Sequence, residues 1–468
     1  MDTKMSEPDN YDVIIIGAGP GGYVAGIRAS QLGLRACVIE KDKPGGVCVN
    51  VGCIPTKSLI HQAEVFLSRS EMKTMGVHVD IEGFEYSRIF EKSRKAAETL
   101  SKGVQYLLKK NNVPLIQGTG EIISPHEVSV GDGSVIKGKN IVIATGSCPR
   151  EIPGFEFDEK CVLSSTGALF LRELPRKLII LGAGAVGCEF AYIMNAFGVE
   201  VCLVEMMSHI LPSEDAETAA VLEKSFRNKG ISILTNTRAV SLKKAPLKVT
   251  VTLEDMNSGR RVVKADKVLV VVGRTPNTGD IGLEHIGLET ERGFIPTGDY
   301  YETRVKGVFA IGDVVLTPHL AHVASREGEI ALEYIAGLKP EPGIDPDVIP
   351  MAVYTEPQIG SFGMNETKAL KNGIPFKKAV FPYRGNGKAV ALESVEGFIK
   401  VLINCETGTI EGAHIVGQNA TELIHEILLA RTAVLKPGTV ASVIHAHPTL
   451  SELVREGMLA VENRAIHV

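Results

Sequence analysis

Apolar residues gather in short unbroken runs separated by longer mixed stretches. "DVIII" (12–16), "ACVI" (36–39), "KLIIL" (177–181), "EVCLV" (200–204) and "VLVVV" (268–272) are the clearest. Runs of this length, rich in Val and Ile, suit strands covered on both faces, as in a parallel sheet flanked by helices. They are too short to cross a bilayer. The stretches that follow "DVIII" and "KLIIL" read as helices, so the pattern predicts a strand–helix–strand unit twice over. From about residue 349 the texture changes. "DPDVIPMAVYTEPQIGS" opens a strand-rich region, and "NATELIHEILLARTAVL" follows as a helix. This predicts a mixed α+β module without a glycine fingerprint.

Both strand-to-helix junctions are glycine-rich. The first carries Gly17, Gly19 and Gly22 with Pro20 between, and its second strand ends at Glu40. The second carries Gly182, Gly184 and Gly187 around Ala185 and Val186, and its second strand ends before Glu205. In G-x-G-x-x-G the glycines permit a tight turn, close approach of a pyrophosphate and tight helix–strand packing, while the acid binds a ribose hydroxyl. One such motif is weak in a chain with 48 glycines in 468 residues. Here Glu40 follows Gly22, and Glu205 follows Gly187, by the same 18 residues. Two matched copies predict two dinucleotide sites. Glu205 repels a 2′-phosphate, and Met206, Met207 and Ser208 supply no Arg to receive one, so NAD is expected over NADP.

Length allows roughly two to four domains. A formal net charge of −5 without a basic patch argues against nucleic acid. The polar stretch 1–10 lacks a secretory apolar run and is expected to be a frayed tail. Eight cysteines do not make a disulfide scaffold in a chain of this size. The expected compartment is reducing and cytoplasmic, with an organelle matrix open if a transit peptide was removed.

Two of those cysteines, Cys48 and Cys53, lie in "KPGGVCVNVGCIPTK" (43–57), just beyond the first acid. They read as a metal fragment, inert core thiols or a redox couple. A metal site lacks a second Cys pair and none is expected. In a regular helix, positions five apart lie about 8–9 Å from each other, beyond disulfide reach, so a bridge needs a distorted first turn. Gly52 supplies flexibility there, and a helix N-terminus with Lys57 nearby favours a thiolate.

Two dinucleotide motifs with "GGVCVNVGCIPTK" between them closely resemble the pyridine nucleotide–disulfide oxidoreductases. The resemblance runs from about Tyr11 to the C-terminus. It implies an α/β fold with two Rossmann-like domains, binding FAD and NAD in turn, and a C-terminal α+β dimerisation domain. The expected layout is an FAD domain over 11–150, an NAD domain over 151–276, a central segment over 277–348 completing the FAD site, and an interface domain over 349–468. For FAD it implies Gly17, Gly19, Pro20, Gly22, Glu40, Lys41, Gly46 and Lys57, then Gly120 and the "IVIATGS" residues Ala144, Thr145 and Gly146. It adds Asp313 of "GVFAIGDV" on the ribityl chain, with His319, Leu320, Ala321 and His322 beside the flavin. For NAD it implies Gly182, Gly184, Ala185, Val186, Gly187, Glu189, Glu205 and Gly273.

The same resemblance makes Cys48–Cys53 the redox disulfide and Lys57–Glu189 an ion pair near the flavin. In "HAHPTLSE" it makes His447 the base and Glu452 its orienting acid, with His445 structural. It implies a homodimer in which His447 serves the other subunit's dithiol. The expected reaction is oxidation of protein-bound dihydrolipoamide on a lipoyl-bearing carrier, in a 2-oxoacid dehydrogenase or glycine-cleavage complex, with NAD+ as acceptor. Reduction of another small disulfide, or service as an assembly subunit, remains open. Val47 and Val49 stand where the family commonly has Thr and Leu.

Overall fold

The computed structural model describes residues 10–246, 248–256 and 258–468; all of the expected tail but Asn10 lies outside them. The described chain forms two compact units. The first comprises the chain through Leu59, with Ser87–Arg150 and Gly273–Ile344; the second comprises Ile60–Tyr86, Glu151–Val272 and Asp345–Val468. Residues 60–86, expected to belong with the first segment, therefore pack with the second unit.

In the first unit, parallel strands Leu115–Gln117, Ala36–Glu40, Asn10–Ile16 and Val135–Ile143 lie side by side, and Val308–Ala310 pairs in parallel with the last. Antiparallel strands Glu127–Val130 and Gly120–Ser124 continue the sheet. The unbroken apolar run of the first strand has a direct cause. Successive side chains point to opposite faces, and both faces are covered. Ile14 and Ile16 pack with Ile122, Val128 and Leu283. Val13 and Ile15 pack on the other face with Ala25, Ala29, Val104 and Leu108. The helix Pro20–Gln31 also packs closely on the helix Ala321–Ile335: a Cβ at Gly328 would stand 2.9 Å from the Gly21 carbonyl oxygen.

The second unit repeats the plan. Strands Ser232–Leu234, Glu200–Val204, Lys177–Leu181, Lys267–Val270 and Val162–Leu163 form a parallel sheet. Beside it, Thr237–Ala245, Lys248–Asp255 and Gly259–Ala265 form an antiparallel sheet. The C-terminal part is a five-stranded antiparallel sheet, in the order Met351–Val353, Gln358–Gly363, Ile410–Gly417, Phe398–Asn404 and Phe376–Pro382. The helices Ala420–Thr432 and Glu452–Val461 share its core with Phe381, Tyr383 and Ile415. The α/β class and the distinct α+β module are as expected.

One polar cluster ties these parts of the second unit together. Lys400 is fully buried and lies 2.6 Å from Asp215, 2.9 Å from Glu217 and 3.0 Å from Glu366. Asp215 also caps the helix Ala216–Asn228 by accepting from the N–H groups of Glu217 and Thr218. A buried ammonium needs such partners, because desolvation alone would drive off its proton. Here the carboxylates outweigh burial and its proton is held more firmly than usual.

Candidate active site

The two glycine junctions have nearly superimposable reasons for their sequence. A Cβ at Gly22 would fall 1.8 Å from the Gly17 carbonyl oxygen, and one at Gly187 would fall 1.9 Å from that of Gly182. Gly17 and Gly182 have φ of +105° and +101°, and side chains there would strike Ala144 and Val271. The middle glycines differ: a Cβ at Gly19 or Gly184 would meet nothing within 4 Å. The outer glycines are thus required by the fold, while the middle one leaves space in front of a helix N-terminus. Helices Pro20–Gln31 and Ala185–Ala196 begin there with neither a side-chain cap nor an acid in the first turn. Open N–H groups at a positive helix end, with room for a backbone-close ligand, fit a pyrophosphate.

Each terminal acid is fixed in the same way. Glu40 accepts from Ala18 N–H at 2.7 Å and Asp42 N–H at 2.8 Å. Glu205 accepts from Ala183 N–H at 2.8 Å and Met207 N–H at 2.9 Å. Two backbone donors on a carboxylate leave lone pairs for a ribose hydroxyl. Both acids are buried, whereas Lys41 is exposed. Ala185 and Val186 open the second fingerprint helix, and Val186 is exposed.

The cysteines sit across a helix break. Gly46–Val51 is a short helix and Cys53 begins the 22-residue helix Cys53–Thr74. Gly52 between them has φ −148° and ψ −117°, and a Cβ there would lie 2.9 Å from the Val47 carbonyl oxygen. The expected distorted first turn is instead a boundary between two helices. The loop is pinned to the first fingerprint: Gly45 N–H donates to Ala18, and a Cβ at Gly46 would stand 2.7 Å from Gly19 Cα. Asn50 braces it through the Gly46 and Pro44 carbonyls at 2.9 and 3.1 Å, and Arg94 binds the Asn50 carbonyl at 2.8 Å.

Cys48 and Cys53 interact directly through a hydrogen bond between them. The hydrogen bond to Cys53 and then burial push the Cys48 thiol far up, against the pull of Lys57. Cys53 opens the helix Cys53–Thr74, whose positive end favours a thiolate.

A second cluster in the first unit surrounds Asp313. Its carboxylate accepts from the Ser147 hydroxyl, and Arg274 Nε lies 3.6 Å away. Arg274 also donates to Ser147 Oγ and to the Ser147 carbonyl, both at 2.6 Å. The turn after strand Val135–Ile143 is closed by Asn277, which receives the Thr145 hydroxyl at 2.7 Å and donates to the Gly146 and Thr145 carbonyls at 2.9 Å. Leu320 precedes, and Ala321 and His322 begin, the helix Ala321–Ile335; the His319 ring stands 5.6 Å from Phe294. Gly120 lies buried in strand Gly120–Ser124 against Ile16 and Ile39. Gly118, just after the strand Leu115–Gln117, donates its N–H to the Glu40 carbonyl at 2.9 Å. Sequence reading passed over Gly118, although its place at a strand end was a signal.

In the second unit, His447 and Glu452 come together: Nδ1 to Oε1 is 2.9 Å. Glu452 is held below the usual carboxylate range. Burial opposes this, but the Thr449 N–H and His447 outweigh it. His445 is buried against Glu426 at 2.8 Å. Glu189 is buried in the second fingerprint helix and accepts the Tyr354 N–H at 3.1 Å. Gly273 belongs to the first unit, where its carbonyl receives the Arg150 N–H at 3.1 Å. Among the described residues, no group of His, Cys, Asp and Glu could hold a metal ion, and no helix is long and apolar enough to cross a membrane.

Comparison with known sequences agrees with this geometry. Residues 11–328 match the model of the pyridine nucleotide-disulphide oxidoreductases, and residues 349–458 match that family's dimerisation domain. The chain belongs to this family of flavoprotein disulfide oxidoreductases, whose members use FAD and NAD(H). It is 40% identical to dihydrolipoyl dehydrogenase 1, mitochondrial, of Arabidopsis thaliana, over 99% of this chain and 92% of that one. It is 38% identical to the dihydrolipoyl dehydrogenase of Bacillus subtilis, over 98% of this chain and 99% of the other. Among solved structures, LpdA from Mycobacterium tuberculosis is similar with a TM-score of 0.88 at 29% identity, covering 96% of this chain and 99% of that one. The dimerisation domain supports a homodimer.

Proposed function

We propose that the chain is an NAD-dependent dihydrolipoyl dehydrogenase, and the observation that carries this is the Cys48–Cys53 dithiol pinned to the first dinucleotide fingerprint. In this reading Gly17, Gly19, Pro20, Gly22, Glu40, Gly46 and Asp313 hold FAD in the first unit. Gly182, Gly184, Gly187 and Glu205 hold NAD in the second. When bound, FAD supplies the electron sink that takes a pair from the dithiol and returns it as hydride to NAD+.

The residues do the rest. Glu452 occupies His447 Nδ1, so Nε2 is the atom left to take a substrate thiol proton. The substrate thiolate attacks Cys48 Sγ of the Cys48–Cys53 disulfide, forming a mixed disulfide and releasing Cys53 as thiolate. Cys48 then leaves with the proton carried by His447, and the freed Nε2 takes the proton of the second substrate thiol as that sulfur attacks the first and closes the substrate disulfide. The substrate is oxidised by two electrons and the cysteine pair is reduced by two. Cys53 is suited to leave as a thiolate because it sits at the N-terminus of the helix Cys53–Thr74. We assign His447 of one subunit to the dithiol of the other, Lys57 and Glu189 to the flavin's surroundings, and the substrate to a lipoyl-bearing carrier of a 2-oxoacid dehydrogenase complex. We place the chain in the cytoplasm, where thiols are kept reduced.

The test is NADH formation from dihydrolipoamide by the purified holoenzyme, with NAD+ and NADP+ side by side. Turnover with NAD+ that is lost in Cys48→Ser supports the assignment. FAD-loaded protein whose cysteines are reduced by NADH, yet which does not oxidise dihydrolipoamide, overturns the substrate.

A further inference from the structure

We propose that Glu327 is a positioning residue of the flavin site, its buried carboxyl anchoring the Gly312 N–H so that the adjacent Asp313 is presented to the flavin's polyol chain. This rests on the reading of Asp313 as a flavin-holding residue.

The anchor begins with helix packing. Helix Ala321–Ile335 is locked against the first fingerprint helix through small residues. A Cβ at Gly21 would stand 3.1 Å from the Ala324 carbonyl oxygen, and one at Gly328 would stand 3.2 Å from Ala25 Cβ. A side chain at either glycine would crowd the facing helix, so the two helices are closely packed here. Glu327 is the residue before Gly328 and is fully buried. From that fixed backbone its Oε2 accepts the Gly312 N–H at 2.5 Å.

Gly312 is the residue that needs holding. It has φ +73°, follows the strand Val308–Ala310, and a Cβ there would stand 3.2 Å from Ala324 Cβ. Glycine is chosen for a left-handed turn pressed onto the helix, and the same choice makes the turn soft. Asp313 is thus restrained at two ends: Ser147 and Arg274 hold its carboxylate, while Glu327 holds the peptide that sets where its backbone starts.

The chemistry of the anchor is unusual. Oε1 of Glu327 is buried and has no hydrogen-bond partner among the described residues, and the same is true of the Thr317 hydroxyl. A buried carboxylate with a vacant oxygen is expensive to keep, and a packing role would be met by Met or Leu at no such cost. Burial pushes the carboxyl up to about 7, with the Gly312 N–H opposing and Asp313 adding to the rise. The titratable groups facing it are Asp313 and the phenol of Tyr301. What the site retains is an acceptor for one N–H, which is what positioning requires.

The experiment follows FAD release from diluted holoenzyme by recovery of free-flavin fluorescence, together with the visible flavin spectrum before dilution. Glu327→Gln keeps an oxygen for the Gly312 N–H, and release stays within about threefold of the parent. Glu327→Ala removes the acceptor and Glu327→Met removes it while keeping the bulk; both release FAD about tenfold faster and shift the bound-flavin spectrum. Glu327→Met behaving like the parent makes the residue mere packing and overturns the proposal. So does Glu327→Gln releasing as fast as Glu327→Met, or all three releasing at the parent rate. Asp313→Ala is the separate control: unchanged release there overturns the reading of Asp313 itself, whatever the Glu327 series does.

Discussion

Glu452 receives the Nδ1 hydrogen of His447 at 2.9 Å through one oxygen and the Thr449 N–H at 2.9 Å through the other. The carboxylate can only accept, so this contact fixes the imidazole tautomer as well as its orientation. His447→Ala is expected to lower turnover of dihydrolipoamide by about 10²–10⁴, the range of a lost general base. Glu452→Gln keeps the bulk but offers an N–H where a lone pair is needed, and is expected to cost less than His447→Ala. Steady-state kinetics on the two variants check the order; an equal KM across parent and variants assigns the loss to proton handling.

The paired acids predict coenzyme choice. Glu205 is already braced by the Ala183 and Met207 N–H groups, so it cannot swing aside for a 2′-phosphate. The parent is expected to use NAD+ far better than NADP+. Glu205→Ala is expected to narrow the ratio of kcat/KM values by about tenfold or more, mostly through weaker NAD+ use. A ratio that stays put would place discrimination elsewhere in the second unit.

Lys400 should matter to stability and not to chemistry. Lys400→Met leaves Asp215 buried without its cation. Loss of one partner from a buried pair costs about 3–5 kcal/mol, and the lower end is expected because Glu217 and Glu366 reach solvent. A fall in thermal midpoint with FAD content unchanged is the expected result.

Glu327 also writes a pH dependence into stability. Its carboxyl is raised from 4.5 to about 7 in the fold, so the native state holds a proton that the unfolded chain has lost. Stability contributed by this group is therefore present below pH about 4.5 and is lost as pH rises to about 7, flattening above that; the span is about 3 kcal/mol. Glu327→Gln cannot titrate. Thermal midpoints measured from pH 5 to 8 should fall more steeply in the parent than in the variant, with the difference confined to that window.

Much of this was legible from sequence because strands and glycine turns obey local rules. The two fingerprints, their acids and the His447–Glu452 spacing are each set by a few neighbouring residues, and the structure brings each set together. Gly52 was read as flexible, but its role as a boundary depends on how Val47 folds back upon it. Gly118 stands at a strand end, a local signal, but its bond to the Glu40 carbonyl depends on a partner remote in sequence. Ser147, Arg274 and Glu327 gave no signal, for an isolated polar residue acquires meaning only when tertiary packing buries it. Lys400 is the extreme case: a strand lysine reads as a solvated charge until three distant carboxylates surround it.

The break at Gly52 places the two cysteines on two different helices. Cys48 rides on a six-residue helix and Cys53 heads one of 22 residues. The chain between the two cysteines turns on one small residue at the joint. In the proposed reaction, where the bond between them opens and closes, that joint is the place where the backbone can give.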